Sequence, residues 1–235
     1  MVVVGLDTAT VDTVACAWRD GEVLHESRLG LSPQGRPLHA TRLLEEIERA
    51  AAAAGGWERV DLLGVGLGPG SFTGLRVGIS TARGLGVGLG LPARGICTLD
   101  ALAAAIAEGG GDGEVLAVLD GWRGEVFAAL YEAGGERIWE PAVYRPEELA
   151  ERLAELPASP LAAGSGAVRF RAELAPSGVR IPDDSDPVHR VAGRHVCALA
   201  ATMAAATEGD GLAPIYLRPP DAERWRERDA SQRAQ

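Results

Sequence analysis

The chain has 235 residues, 46% of them hydrophobic, a formal charge of −10 and an isoelectric point near 4.9. That length suits one large domain or two small lobes with real cores, no apolar run reaches the 18 residues of a membrane span, and the acidity argues against a chain that grips nucleic acid alone. All 23 basic residues are arginine, which excludes a P-loop, whose lysine holds phosphate, and Schiff-base chemistry, which needs a lysine amine.

Residues 2–6 read as a short buried strand that ends in Asp7-Thr8-Ala9-Thr10. With no basic stretch ahead of it, this start reads as a strand and not as a signal peptide. Residues 11–18 and 22–29 are the next two strands, joined at Asp20-Gly21, a hairpin signal. Residues 39–54 form an amphipathic helix, with Leu43, Leu44, Ile47, Ala50, Ala51 and Ala54 on one face. Residues 62–67 are a buried strand, 68–74 a glycine-rich turn, 75–89 a helix, 92–97 a strand and 98–108 a helix. The glycine run at 108–113 breaks the composition and marks a lobe boundary.

After that break the order repeats. Strands are expected at 115–120, 125–131 and 138–144, a helix at 146–156, a strand at 161–164, a helix at 167–174, a strand at 179–181 and a long helix at 188–207. Strand–strand–strand–helix–strand–helix–strand occurs twice, each time from a strand ending in aspartate, Asp7 and Asp120. The pattern gives two α/β lobes, 1–110 and 111–222, with a cleft between them and a charged tail at 223–235. The helix at 188–207 is the candidate to pack back on the first lobe. Cys16, Cys97 and Cys197 are odd in number, widely spaced and in apolar contexts, as reduced core residues of a cytoplasmic protein would be. No C-x-x-C or His/Cys cluster suggests a metal.

The stretch at 62–90 organises the rest. A strand feeding a glycine turn at a helix N-terminus is a common anion cradle. Here Pro69 removes one N–H donor and Phe72 adds bulk, while Ser71 and Thr73 are placed to cap the helix, so the turn also reads as purely structural. The helix after it is apolar nearly all round, which a helix with one wet face would not be. Gly78, Ala82, Gly86 and Gly90 fall four apart. That spacing makes a ridge without side chains, open to close approach by another helix, either within the domain or from a second protein.

Four segments, VVVGLDTAT (2–10), GPGSFTGLRVGISTARGL (68–85), DGWRGEVF (120–127) and PIYLRPPDA (214–222), together resemble the bacterial TsaB (YeaZ) family over nearly the whole chain. The resemblance implies two actin-like lobes of the sugar kinase/Hsp70/actin class. It implies a non-catalytic scaffold and activator that dimerises with a catalytic paralogue, TsaD, and works with an ATPase, TsaE. That assembly transfers a threonylcarbamoyl group to adenosine next to the anticodon of ANN-decoding tRNAs, so tRNA is met only through the complex. The family's partner contact is a bundle of the first two helices of each subunit. Carried over, it maps to His39, Leu43 and Ile47 on the first helix and Leu75, Gly78, Ile79, Ala82 and Gly86 on the second. An isolated chain is expected to form a homodimer through the same face.

Two departures matter. The paralogue's His-x-x-x-His metal pair is reduced here to His39 followed by Leu43, and one histidine does not fix a metal. The arginine usual two residues after the second-lobe aspartate is Trp122. No catalytic residue and no cofactor is expected. The alternative is an ATP/Mg-dependent phosphotransferase of the same fold class, for which Asp7, Thr8, Gly68, Gly70, Ser71 and Asp120 are the candidates for a weak nucleotide contact in the cleft. Asp7, Thr8 and Thr10 equally suit turn capping. A serine protease is excluded: Ser71 sits in G-P-G-S-F-T-G, outside the G-x-S-x-G elbow, and His25, His39, His189 and His195 lie in unrelated segments.

Overall fold

A computed structural model describes residues 1–110, 113–203 and 212–218. The first sheet contains β1 (Val2–Asp7), β2 (Thr13–Arg19), β3 (Glu22–Leu29), β4 (Leu62–Gly66) and β5 (Ala93–Ile96) in the order β3-β2-β1-β4-β5. β1, β2 and β3 run antiparallel, and β4 and β5 join parallel to β1. The parallel crossovers carry α1 (His39–Ala53) and α2 (Phe72–Leu89), and α3 (Thr98–Glu108) follows β5. The second sheet repeats the plan with β6 (Val115–Asp120), β7 (Val126–Tyr131), β8 (Arg137–Tyr144) and β9 (Leu161–Ala163) in the order β8-β7-β6-β9. Where a fifth strand was expected at 179–181, a single bridge joins Leu161 to Arg180.

β1 is buried on both faces, which is why it reads as an unbroken apolar run and does not alternate. Val4 and Leu6 pack with Leu43, Ile47, Leu75, Ile79 and Ala82 of α1 and α2. Val3 faces the other way and joins Leu99, Leu102 and Ile106 of α3, residues of β6 and β7, and Val196, Cys197 and Ala200 of α7 (Gly193–Thr202). A third cluster lies outside the second sheet, under α4 (Pro146–Ala154), α5 (Ser165–Arg169) and α6 (Arg171–Leu174). The layers therefore run α1/α2, first sheet, α3/α7, second sheet, α4–α6, with one core spanning both sheets.

α7 sits on the first sheet because small residues make room for it. A Cβ at Gly5 would meet the Cys197 sulfur at 2.5 Å, and one at Gly64 would meet Ala200 at 3.1 Å. Gly5 and Gly64 are register partners on neighbouring strands, so the two gaps form one seat.

Several element bounds differ from expectation. α2 begins at Phe72, three residues early, because the Ser71 side chain accepts the Gly74 N–H at 3.2 Å and caps it. The helix expected from 188 starts only at Gly193: Asp186 caps a short turn at Pro187–His189, and Arg190 is extended. Residues 204–207 of that expected helix, and the tail at 223–235, lie outside the described residues, as do 111–112 within the expected lobe boundary. The helix expected at 167–174 is broken at Phe170 into α5 and α6.

Candidate functional site

The end of β1, the glycine turn and the start of α3 are tied together through Asp7. Its carboxylate is fully buried. One oxygen accepts the Ala9 N–H at 2.8 Å, the other the Thr98 hydroxyl at 2.8 Å. Burial pushes the pKa up to about 6, against the lowering effect of those two bonds. The Thr98 hydroxyl also accepts the Gly68 N–H at 3.1 Å, and the Thr98 N–H donates to the Gly68 carbonyl at 2.8 Å. Thr98 was not singled out by the sequence; it is 91 positions from Asp7, and nothing local to it signals the contact.

The glycine turn is similarly engaged. The Ser71 N–H donates to the Ala9 carbonyl at 2.7 Å, and the Thr8 hydroxyl to the Gly74 carbonyl at 2.8 Å. Gly70 lies so close to Ala9 that an added Cβ would overlap its carbonyl. The Gly68–Pro69 peptide is cis. The N–H groups of Gly68, Ser71 and Gly74, which an anion cradle would offer to a ligand, already end on the chain itself.

His39, at the start of α1, closes the same knot. Its Nε2–H donates to the Thr10 carbonyl at 3.1 Å, which leaves Nδ1 to accept the Thr13 hydroxyl at 2.9 Å. Both ring nitrogens are thereby occupied. Burial lowers the pKa, in keeping with this neutral tautomer. Leu43, one turn on, is in the core.

The residues mapped to a helical partner contact need one correction. Leu43, Ile47, Leu75, Ile79 and Ala82 are buried inside the chain, and so are Gly78 and Gly86. Gly78 faces Thr8, whose hydroxyl an added Cβ would overlap, and lies 3.3 Å from Leu6. The ridge at 78, 82 and 86 is thus the one that seats α2 on its own sheet. The outward ridge is offset by two positions, at Ser80, Gly84 and Gly88, and a Cβ at Gly84 or Gly88 meets nothing within 4 Å. On the same face of α2 stand Phe72, Arg76 and Val87, with Val87 78% exposed, and on α1 Leu44 is 56% exposed. Arg76 lies over the Phe72 ring at 3.9 Å, and Tyr216 packs against that ring at 5.5 Å. Pattern alone could not choose between the two ridges, because both carry small residues four apart.

Between the two sheets lies a cleft of about 360 Å³. Its lining includes Gly70 and Asp120 but not Asp7, Thr8, Gly68 or Ser71, so two of the six nucleotide candidates reach it. Asp120 binds Arg169 at 2.6 Å and accepts the Trp122 N–H at 2.9 Å. Asp12, also in the lining, is held by both arms of Arg190, with Nε at 2.7 Å. Among the described residues, no three His, Cys, Asp or Glu side chains are grouped to hold a metal, and no helix is long and apolar enough to cross a membrane.

Two sheets of the same strand order, each begun by a strand that ends in aspartate, define a protein of the actin-like ATPase fold. In keeping with this, the ROK hexokinase of Thermus thermophilus superposes with a TM-score of 0.51 at 16% identity, a likeness of fold alone. YeaZ from Pseudomonas aeruginosa superposes far better, with a TM-score of 0.74 at 28% identity over 92% of this chain and 99% of that one. The family model described as TsaD, tRNA N6-adenosine threonylcarbamoyltransferase, matches residues 22–179. The Escherichia coli K12 tRNA threonylcarbamoyladenosine biosynthesis protein TsaB is 32% identical over 93% of this chain and 95% of its own length. The Haemophilus influenzae protein of the same name is 38% identical over 54% of this chain and 52% of its own length. The chain belongs to the TsaB (YeaZ) family of tRNA threonylcarbamoyladenosine biosynthesis proteins.

Proposed function

We propose that this chain is a non-catalytic subunit in tRNA threonylcarbamoyladenosine synthesis. It docks on a TsaD-type catalytic paralogue and activates it, in a cytoplasmic assembly that also includes a TsaE-type ATPase. The transferase chemistry belongs to the paralogue, and tRNA is held by the complex and not by this acidic chain. The observation that carries the reading is the internal engagement of the parts a phosphotransferase of this fold would use. Asp7 is buried between Ala9 and Thr98, and the N–H groups of Gly68, Ser71 and Gly74 in the glycine turn end on the chain's own carbonyl and hydroxyl oxygens. The family membership adds to it.

The docking face is the outer side of α2, centred on Ser80, Gly84 and Val87. Gly84 and Gly88 let a partner helix approach closely there, and the large exposed Val87 gives it apolar area. His39, Leu43, Ile47, Leu75, Gly78, Ile79, Ala82 and Gly86 shape the two helices from within. Without its partner the chain pairs with a second copy by the same face.

The test is threonylcarbamoyl transfer to tRNA by a TsaD-type partner with the TsaE-type ATPase, with and without this chain, alongside the chain alone with ATP and Mg²⁺. Transfer that needs both subunits, with no turnover by the chain alone, is the expected result. Turnover by the chain alone overturns the reading. Val87→Glu and Gly84→Arg are expected to weaken partner binding without lowering the melting temperature; full binding by both refutes the assigned face.

A further inference from the structure

We propose that a second cavity, on the α7 side of β3, binds a short aliphatic carboxylate held by the Arg28 guanidinium. The cavity holds about 370 Å³, within the range of small-molecule sites, roughly 300–1,000 Å³. β3, the end of α3, the turn at Pro187–His189 and the start of α7 wall it. Of its lining residues only Arg190 also borders the interlobe cleft. Glu26 and Arg28, two apart on β3, share the face that lies over Cys16 and Val14 of β2, the same pair that Gly193 of α7 packs against.

Three arginines line this cavity, and two of them are engaged. Arg194 reaches Glu108 with Nε at 3.1 Å and Nη2 at 2.6 Å, and Glu26 with Nη1 at 3.1 Å. Arg190 grips Asp12 with Nε at 2.7 Å and with Nη2. Arg28 is half-buried, yet among the described residues it makes no hydrogen bond and no ion pair. Burial and the like charge of Arg190 lower its pKa, against the pull of Asp12 and Glu26. Taking a cation partly out of water without a counter-ion costs free energy. The carboxylates nearby are held elsewhere: Glu26 and Glu108 by Arg194, and Asp186 by the Val188 N–H at 2.9 Å. A guanidinium whose N–H donors are all unused, at the wall of a cavity, is a fork that lacks its anion.

Charge decides which anion. The lining carries three arginines against three carboxylates, Glu26, Glu108 and Asp186, so its formal charge is balanced. One negative charge placed on Arg28 finds a partner there. A second or third charge finds none and meets the carboxylates, which disfavours phosphates and polyphosphates. A planar carboxylate also matches the guanidinium fork with two parallel bonds. The rest of the wall includes Ala105, Pro187, Val188 and Ala192, which give a short hydrocarbon tail an apolar seat.

The experiment is titration of the full chain with isovalerate at neutral pH and fixed ionic strength, followed by the arginine side-chain NMR signals and by calorimetry. Isovaleramide, the uncharged isostere, and inorganic phosphate are the comparison ligands, and Arg28→Gln and Arg28→Lys the variants. Isovalerate is expected to bind saturably and to shift the Arg28 Nε–H signal most, that signal being identified by its absence from Arg28→Gln. The amide is expected not to bind, and phosphate to bind more weakly. Arg28→Gln is expected to weaken isovalerate binding about tenfold or more, and Arg28→Lys to fall between, because an ammonium offers no fork. No saturable binding of isovalerate overturns the proposal, as do equal binding of the amide, equal or tighter binding of phosphate, or unchanged affinity in Arg28→Gln. Arg28 has no bond to lose, so both variants are expected to melt with the unmodified chain when no ligand is present. If Arg28→Gln does not fold, Arg28→Lys decides, and unchanged affinity there overturns the proposal. The chain is assayed alone, so failure here leaves the partner-subunit reading untouched.

Discussion

Two glycines on α2, six residues apart, are expected to respond to the same substitution with opposite signs. Replacing an interior helical glycine by alanine ordinarily gains about 1 kcal/mol, because the unfolded chain loses freedom and the helix does not. At Gly84 an added Cβ meets nothing within 4 Å, so Gly84→Ala keeps the whole gain. For a chain of this size that raises the melting temperature by about 2–4 °C. At Gly78 the same Cβ overlaps the Thr8 hydroxyl and comes within 3.3 Å of Leu6. Moving Thr8 breaks its bond to the Gly74 carbonyl, 2.8 Å long and buried. Overpacking of about 1–3 kcal/mol and a lost buried hydrogen bond of about 1 kcal/mol outweigh the propensity gain. Gly78→Ala is therefore expected to cost about 1–3 kcal/mol net. Urea and thermal unfolding of the two variants beside the unmodified chain measure both effects. If Gly78→Ala stabilises as much as Gly84→Ala, the inward ridge is misassigned and the argument for the outward face falls with it.

Asp7 sets a pH dependence. Its folded pKa of about 6 lies above the ordinary 3.8, so between those values the native state binds the proton more tightly than the unfolded chain. Its contribution to stability is full below about pH 4 and is lost as pH rises through 6, by about 3 kcal/mol in all. Asp7→Asn is expected to remove that slope from the stability–pH curve measured in urea; an unchanged slope refutes the burial argument. Asp100 ties α3 to the second sheet through the Tyr131 hydroxyl at 2.8 Å and the Arg137 Nε at 2.9 Å. Asp100→Ala should cost about 2 kcal/mol, whereas Arg137→Lys, which keeps the charge, should cost less; equal losses would show that the fork geometry and not the charge matters. Gly64→Val would drive its side chain into Val196 and Ala200. It is expected to cost about 3 kcal/mol and to raise amide exchange in α7 more than in α1; uniform exchange across both helices would count against a local seat.

Much of the architecture was legible because it is written in local pattern. The strands at Glu22–Leu29 and Val115–Asp120 and the helix at Thr98–Glu108 stand where periodicity put them, and the repeated strand order follows from reading each half alone. The late start of α7 depends on Asp186 capping Val188, a local signal two residues away, and on His189 reaching Gly164, a contact that no window around residue 188 contains. The early start of α2 was within reach, since Ser71 followed by Phe72-Thr73-Gly74 is a cap signal. The choice between the ridges of α2 was not, because 78/82/86 and 80/84/88 are equally smooth in sequence and only packing against Thr8 and Leu6 makes one of them inward.

What the sequence alone determined was chemistry that needs no geometry: the absence of lysine, the acidic balance, the lone His39 ahead of Leu43, and the long motif from Gly68 to Leu85 that carries the family. What only the tertiary structure decided was which of these groups are already engaged. Asp7 and Asp120 look alike as strand-ending aspartates, yet one is sealed between Ala9 and Thr98 while the other lines the cleft beside Trp122. The physical reason is that a carboxylate's role depends on burial and on partners brought from 91 and 49 positions away, and such distances are closed by packing and not by propensity.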